Sequence, residues 1–126
     1  MVEGRKVLFV DDDDVIVMLA TKTVRRLGVS VDSFTDPRAA IAAFAAAPRD
    51  YGVVVSDVRL GEVDAFDMCG EMLRIRPDVR IVLTSGLARP EDLERARGLG
   101  LGPVLSKSSV MTRLPELLGE LVSTAR

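Results

Sequence analysis

A parallel α/β sheet with helices on both faces is the fold class this chain predicts, and three observations predict it. Short apolar segments of strand type alternate with longer segments of helical period, five of each, the pattern of parallel strands joined by crossover helices. Two of the strand-type segments, Lys6 to Val10 and Tyr51 to Ser56, show no polar alternation at their centres, as expected of strands covered on both faces. The length of 126 residues, 48% hydrophobic and 29% charged, suits a single core and one domain spanning 1–126.

Lys6-Val7-Leu8-Phe9-Val10 forms the first strand and stops at Asp11-Asp12-Asp13-Asp14. Beyond the acids, Ile16, Leu19, Ala20, Thr23, Val24 and Leu27 recur at helical spacing; Asp13 or Asp14 supplies the cap and Gly28 the stop. Val29 to Phe34 alternates with period two, which suits a strand nearer the sheet's edge. Asp36 caps and Pro37 opens an alanine-rich helix that runs to Ala47 and ends at Pro48. The third strand, Tyr51 to Ser56, ends at Asp57. A loop, Val58 to Val63, then leads to a helix capped by Asp64, with Phe66, Met68, Cys69, Met72 and Leu73 on its apolar face. Arg80 to Thr84 is the fourth strand, Pro90 to Arg97 a short charged helix facing solvent, and Val104 to Ser106 a brief fifth strand ending at Lys107. The last helix is expected from about Thr112 to Ser123, because Pro115 fits only a first turn. Right-handed crossovers and five such units favour a doubly wound, flavodoxin-like sheet of order 2-1-3-4-5.

Composition removes several classes of function. The chain has no histidine, so Ser-His-Asp chemistry, histidine metal ligation and histidine bases are excluded. Cys69 is the single cysteine, which rules out an internal disulfide or a cysteine-rich zinc site and reads as a small core residue. A net charge of −2 offers no basic footprint for direct nucleic-acid contact. No apolar stretch approaches the ~20 residues of a membrane span, and the N-terminus runs straight into a strand without a secretory signal. The expectation is a soluble cytoplasmic domain. Gly98-x-Gly-x-Gly102 follows a helix rather than a strand and is not a dinucleotide loop.

In doubly wound sheets ligands bind beyond the carboxyl ends of the strands, where the strand order reverses. Those ends carry Asp11 and Asp12 on the first strand, Asp57 on the third, Thr84 on the fourth and Lys107 on the fifth. Adjacent carboxylates repel, gain nothing from an apolar core, and are relieved by an oxygen-seeking cation such as Mg²⁺. A carboxylate can also act as nucleophile and carry an aspartyl-phosphate. Phosphoryl transfer asks mainly for positioning and charge neutralisation, which a metal, a lysine and a hydroxyl provide. Asp13 and Asp14 are assigned to helix capping.

Taken together, Val-Asp11-Asp12-Asp, Ser-Asp57-Val-Arg-Leu, Leu-Thr84-Ser-Gly and Leu-Ser-Lys107 give the chain its family resemblance: over essentially its whole length it resembles the receiver domain of bacterial two-component response regulators. The resemblance implies a signalling switch rather than an enzyme. Asp57 is then the phosphoacceptor, its phosphoryl group coming from a phosphohistidine on a histidine kinase or histidine phosphotransfer protein. Mg²⁺ or Mn²⁺ would be held by Asp12 directly, by Asp11 through water, by Asp57 and by the backbone carbonyl of Arg59. Thr84 and Lys107 would bind the phosphoryl group, and a downstream protein would read the modified surface, with no nucleic acid contacted directly.

The chain also departs from the family pattern. Val104 stands where the family carries an aromatic switch residue, Ser108 where it has a cis proline after the lysine, and Gly61 and Ala65 where its acceptor loop has proline and glycine. Acceptor and metal residues are untouched, so the expectation is retained phosphorylation with a non-standard switch, running through backbone rearrangement of the Gly61 and Thr84 loops or through an unusual partner surface. A stand-alone regulator leads, with a receiver excised from a hybrid kinase or longer regulator as its variant. The competing classes are an unphosphorylated pseudo-receiver binding module and an aspartate hydrolase, the latter disfavoured because Arg59, not an acid, stands two residues after Asp57.

Overall fold

Strand residues whose side chains find apolar cover on both faces set the architecture. In the computed structural model, which describes residues 5–87 and 89–119, five parallel strands form one sheet. They are β1 (Lys6–Val10), β2 (Ser30–Phe34), β3 (Tyr51–Asp57), β4 (Ile81–Ser85) and β5 (Leu105–Ser106). Their spatial order is β2-β1-β3-β4-β5, as the sequence predicts. The helices are α1 (Asp14–Arg26), α2 (Pro37–Ala46), α3 (Ala65–Ile75), α4 (Pro90–Gly98) and α5 (Lys107–Leu117).

Alternate residues of each strand feed two separate cores. Val7 and Phe9 of β1 and Val53 and Val55 of β3 pack with Ala20 and Val24 of α1 and Val110 and Leu114 of α5. Leu8, Val10 and Val54 point the other way, against Phe44 of α2 and Met68 and Met72 of α3. Each buried valine or leucine contributes roughly 1.5–3 kcal/mol, so β1 and β3 are the most strongly held elements. β2, at the edge, is only half-buried, in keeping with its alternating sequence.

Three expectations need correction. On α1, Leu19 faces solvent, while Val17 packs inward. Ile16, Ala20, Val24 and Leu27 line the core as expected, and Thr21 bonds Ser33 of β2 at 2.6 Å. The segment expected as a plain loop after Asp57 contains a two-stranded antiparallel ribbon, Arg59–Leu60 against Val63–Asp64. Gly61, at φ +71°, takes the first central position of its two-residue turn, where a left-handed backbone is needed. Finally, α5 begins at Lys107 rather than Thr112, because Ser106 caps it by accepting from the Ser109 amide at 3.1 Å. Pro115 therefore lies inside the helix and not in its first turn. The expected extension towards Ser123 runs past residue 119, outside the described residues.

Candidate functional site

β1 and β3 are neighbours in register, with Val10 opposite Ser56, so the residues that follow them emerge side by side. Asp11 is 1% exposed and Asp57 5%, both at the end of a buried apolar run that cannot turn them out to water. Asp12 is exposed. One carboxylate oxygen from each of Asp11, Asp12 and Asp57 lies within 4.8 Å of the others. Lys107, at the end of β5 and the start of α5, places Nζ 3.1 Å from Asp57 Oδ2 and 3.2 Å from Asp11 Oδ2. The lysine's pKa is raised: burial lowers it, but hydrogen bonds and charge from Asp57 and Asp11 overcome that.

The fate of the aspartate run follows from its hydrogen bonds. Asp11 Oδ1 accepts from the Asp13 amide at 2.9 Å. Asp13 in turn caps α1, its Oδ1 accepting from the Val15 amide at 3.0 Å, and Asp14 lies in the helix's first turn. Asp12 is left lining the cleft, with Asp11 buried beside it.

Thr84 is paired in register with Asp57 and is buried, and its carbonyl accepts from the Val58 amide at 2.9 Å. It sits beside Asp57 on β4 without a hydrogen bond to it among those described. Arg59 opens the ribbon and lines a cleft of about 420 Å³ with Asp12, Asp57, Lys107, Ser85 and Gly86. Val104 does not line that cleft; it is half-buried and packs against the core on the α2 and α3 side of the sheet. The Lys107–Ser108 peptide is trans, like every described peptide bond. Sequence reasoning missed Ser85, whose neighbour Thr84 was the available signal, and Arg89, which joins both this cleft and the adjacent one between ribbon and α4. For Arg89 no sequence signal existed.

The donor set fits a hard divalent cation. All available ligands are oxygens, which suits Mg²⁺ or Mn²⁺ and not a softer metal. Three carboxylates face one ammonium, leaving a surplus of two negative charges when all are ionised. Asp11 shows the effect: burial and the Asp57 charge raise its pKa, although the Asp13 amide and Lys107 pull the other way. Its Oδ2 is buried and faces the Lys107 ammonium at 3.2 Å.

Fold and cleft together define a receiver domain. The chain belongs to the response regulator receiver domain family, whose profile matches residues 7–118. It is similar to the transcriptional regulatory protein TcrA of Mycobacterium tuberculosis, 32% identical over 101 residues covering 80% of this chain and 38% of the relative. The chain thus spans about two fifths of the length of that relative. A receiver domain structure from Clostridium thermocellum superposes with a TM-score of 0.83 at 18% identity over 94% of each chain. A Burkholderia pseudomallei response regulator structure, described as carrying a phosphorylated aspartic acid, calcium ion and citrate, superposes with a TM-score of 0.73 at 21% identity, covering 91% of this chain and 71% of that one. At those identities the structural likeness shows the fold. Among the described residues, no helix is long and apolar enough to cross a membrane.

Proposed function

We propose that this chain accepts a phosphoryl group on Asp57 from a phosphohistidine of a histidine kinase or phosphotransfer protein, with Mg²⁺ or Mn²⁺, and passes the signal to a downstream protein. The observation that carries the reading is the meeting of the Asp11, Asp12 and Asp57 oxygens within 4.8 Å beside the Lys107 ammonium. A carboxylate oxygen of Asp57 attacks phosphorus; the new O–P bond forms as the N–P bond breaks, and the histidine nitrogen leaves with the electron pair. Lys107, already on Asp57 Oδ2, keeps its charge beside the transferred group, and the Thr84 hydroxyl is one strand away to hydrogen-bond a phosphoryl oxygen. Asp12, Asp11, Asp57 and the Arg59 carbonyl would hold the cation, which supplies charge neutralisation for the phosphoryl oxygens.

A protein donor, rather than a small ester, suits the surroundings. The cleft is open, and Val15, Met18 and Leu19 leave exposed apolar surface on the α1 turns that follow the acids. The phosphorylated aspartate in the Burkholderia pseudomallei structure supports the same chemistry in the same fold. The reading places the chain in the cytoplasm, where such kinases present their phosphohistidine. It applies equally to a stand-alone regulator and to a receiver within a longer protein.

Mass spectrometry tests it directly. Incubation with acetyl phosphate and Mg²⁺ should add one phosphoryl group, and Asp57→Asn should abolish the gain. A folded wild-type chain that takes up no phosphate would instead be a pseudo-receiver, and rapid turnover of unrelated phosphate esters would mark a hydrolase.

A further inference from the structure

α4 is held to the rest of the molecule more by charge than by apolar packing. Of its residues only Asp92 and Ala96 are buried, and Leu93 is 42% exposed. Facing it is the ribbon that follows Asp57. The ribbon's cross-strand partners Arg59 and Asp64 both reach α4. Arg59 donates from both terminal nitrogens to Asp92 Oδ2, at 3.3 and 3.4 Å. Asp64 Oδ2 pairs with Arg95 Nη1 at 2.8 Å.

Asp92 and Arg95 are one turn apart and share a helix face. Charge therefore runs positive then negative across the ribbon and negative then positive along the helix. Swapping the pairing would set like charges together, so the clamp fixes one placement of α4. Each acid also has a second task. Asp92 Oδ2 accepts from the Arg89 amide at 3.1 Å and so closes the first turn of α4. Asp64 caps α3 by accepting from the Phe66 amide at 2.8 Å, while the Arg95 guanidinium lies over the Phe66 ring at 4.5 Å.

Arg59 is where this clamp meets the cleft. Its side chain ends on Asp92, its backbone opens the ribbon, and it lines the same cleft as Asp12 and Asp57. We propose that Asp92 is a positioning residue of the metal cleft: by gripping the Arg59 guanidinium it holds the Arg59 carbonyl in place, and by the same grip it links cation binding to the order of the first turn of α4. The inference rests on the reading of the cleft given above. A buried carboxylate deprived of its cation partner is costly, so loosening the pair disturbs both ends. By reciprocity, whatever tightens Arg59 at the cleft also tightens α4. This gives the chain a route from cleft to helix that does not pass through Val104.

Calorimetric Mg²⁺ titration of the full chain tests the grip without any phosphorylation step. Asp92→Asn keeps an oxygen for the Arg89 amide but removes the charge, and should weaken Mg²⁺ binding about tenfold, the scale set by losing a supporting partner of a metal ligand. Arg59→Gln should do the same, and the double variant should be no worse than the poorer single one, because both remove one interaction. In wild type, Mg²⁺ should slow hydrogen exchange at the Asp92 and Leu93 amides, and in Asp92→Asn it should not. Melting curves without Mg²⁺ control for folding, and Arg59→Gln, at a half-exposed side chain, carries the test alone should Asp92→Asn fail to fold. Unchanged affinity in both single variants overturns the proposal. So do losses that multiply in the double variant, or opposite effects of the two substitutions, which would mean that Asp92 restrains an arginine acting on the ligand itself. A wild-type chain that binds no Mg²⁺ would overturn the reading of the cleft, and this inference with it.

Discussion

Around β1 and β3 the molecule is apolar and closed: Val7, Leu8, Val10 and Val54 are 0% exposed, and Asp11 and Asp57 continue those strands into the cleft. Around α4 the reverse holds. Its one buried apolar side chain is Ala96, and its placement relies on Arg59, Asp64, Asp92 and Arg95. The contrast assigns a task to each region. Carboxylates that repel can be kept together only on supports that do not yield, and two strands sealed on both faces are such supports. An element that is to respond to the cleft must be held by interactions of a few kcal/mol at most, and ion pairs half open to water are of that size.

Truncations sharpen this comparison. Phe44 is buried on α2 and stacks with Tyr51 at a centroid distance of 6.1 Å. Phe44→Ala should cost about 3–5 kcal/mol in urea unfolding. Leu93→Ala on α4 should stay within about 0.5 kcal/mol. Comparable losses at the two positions would remove the distinction between a rigid centre and a yielding edge.

The next effect concerns α5, which carries Lys107 into the cleft. Pro115 sits inside that helix, where it denies the Met111 carbonyl a backbone donor. Pro115→Ala should therefore stabilise the chain by about 2 kcal/mol, the removed helix penalty less the lost restriction of the unfolded chain. A helix beginning at Thr112 would place the proline in its first turn, and the substitution would then be close to neutral.

The smallest effect is a pH dependence at the ribbon. Burial alone raises the pKa of Asp64, but the Arg95 hydrogen bond and the Phe66 amide outweigh it and hold the carboxyl below 3.8. Folding thus favours its ionised form. That contribution is present above the unfolded-state value and is lost as pH falls through the lower folded value. Asp64→Asn should flatten the acid limb of a stability–pH curve below about pH 4 while leaving the neutral region nearly parallel.

Much of this was legible in the residues, and the failures share a physical origin. Runs such as Val53-Val54-Val55 place a strand without help from its neighbours, and an acid just past such a run has one place to go. Asp11, Asp57 and Lys107 could be found by that logic. The ribbon could not, because two residues on each side give no period to detect and its pairing depends on the turn at Gly61. The start of α5 was misplaced because a proline rule outweighed the weaker signals of a Ser106 cap and of Val110, Leu114 and Leu118 recurring along one face. On α1 the expected face is right at Ile16, Ala20, Val24 and Leu27 and misses only at its edge, where Val17 rather than Leu19 packs inward.

What the sequence determined by itself is the sheet, its strand order and the acidic end of β1 and β3, since apolar periodicity and strand length are local properties that leave few packings open. Only the tertiary structure decided that Asp11 is buried while Asp12 is open, where Lys107 ends up between Asp11 and Asp57, and that Arg59 and Asp64 clamp α4 through Asp92 and Arg95. Those outcomes depend on distances between charges brought together by folding, and ionic interactions at a few ångströms carry no signature in the order of residues along the chain.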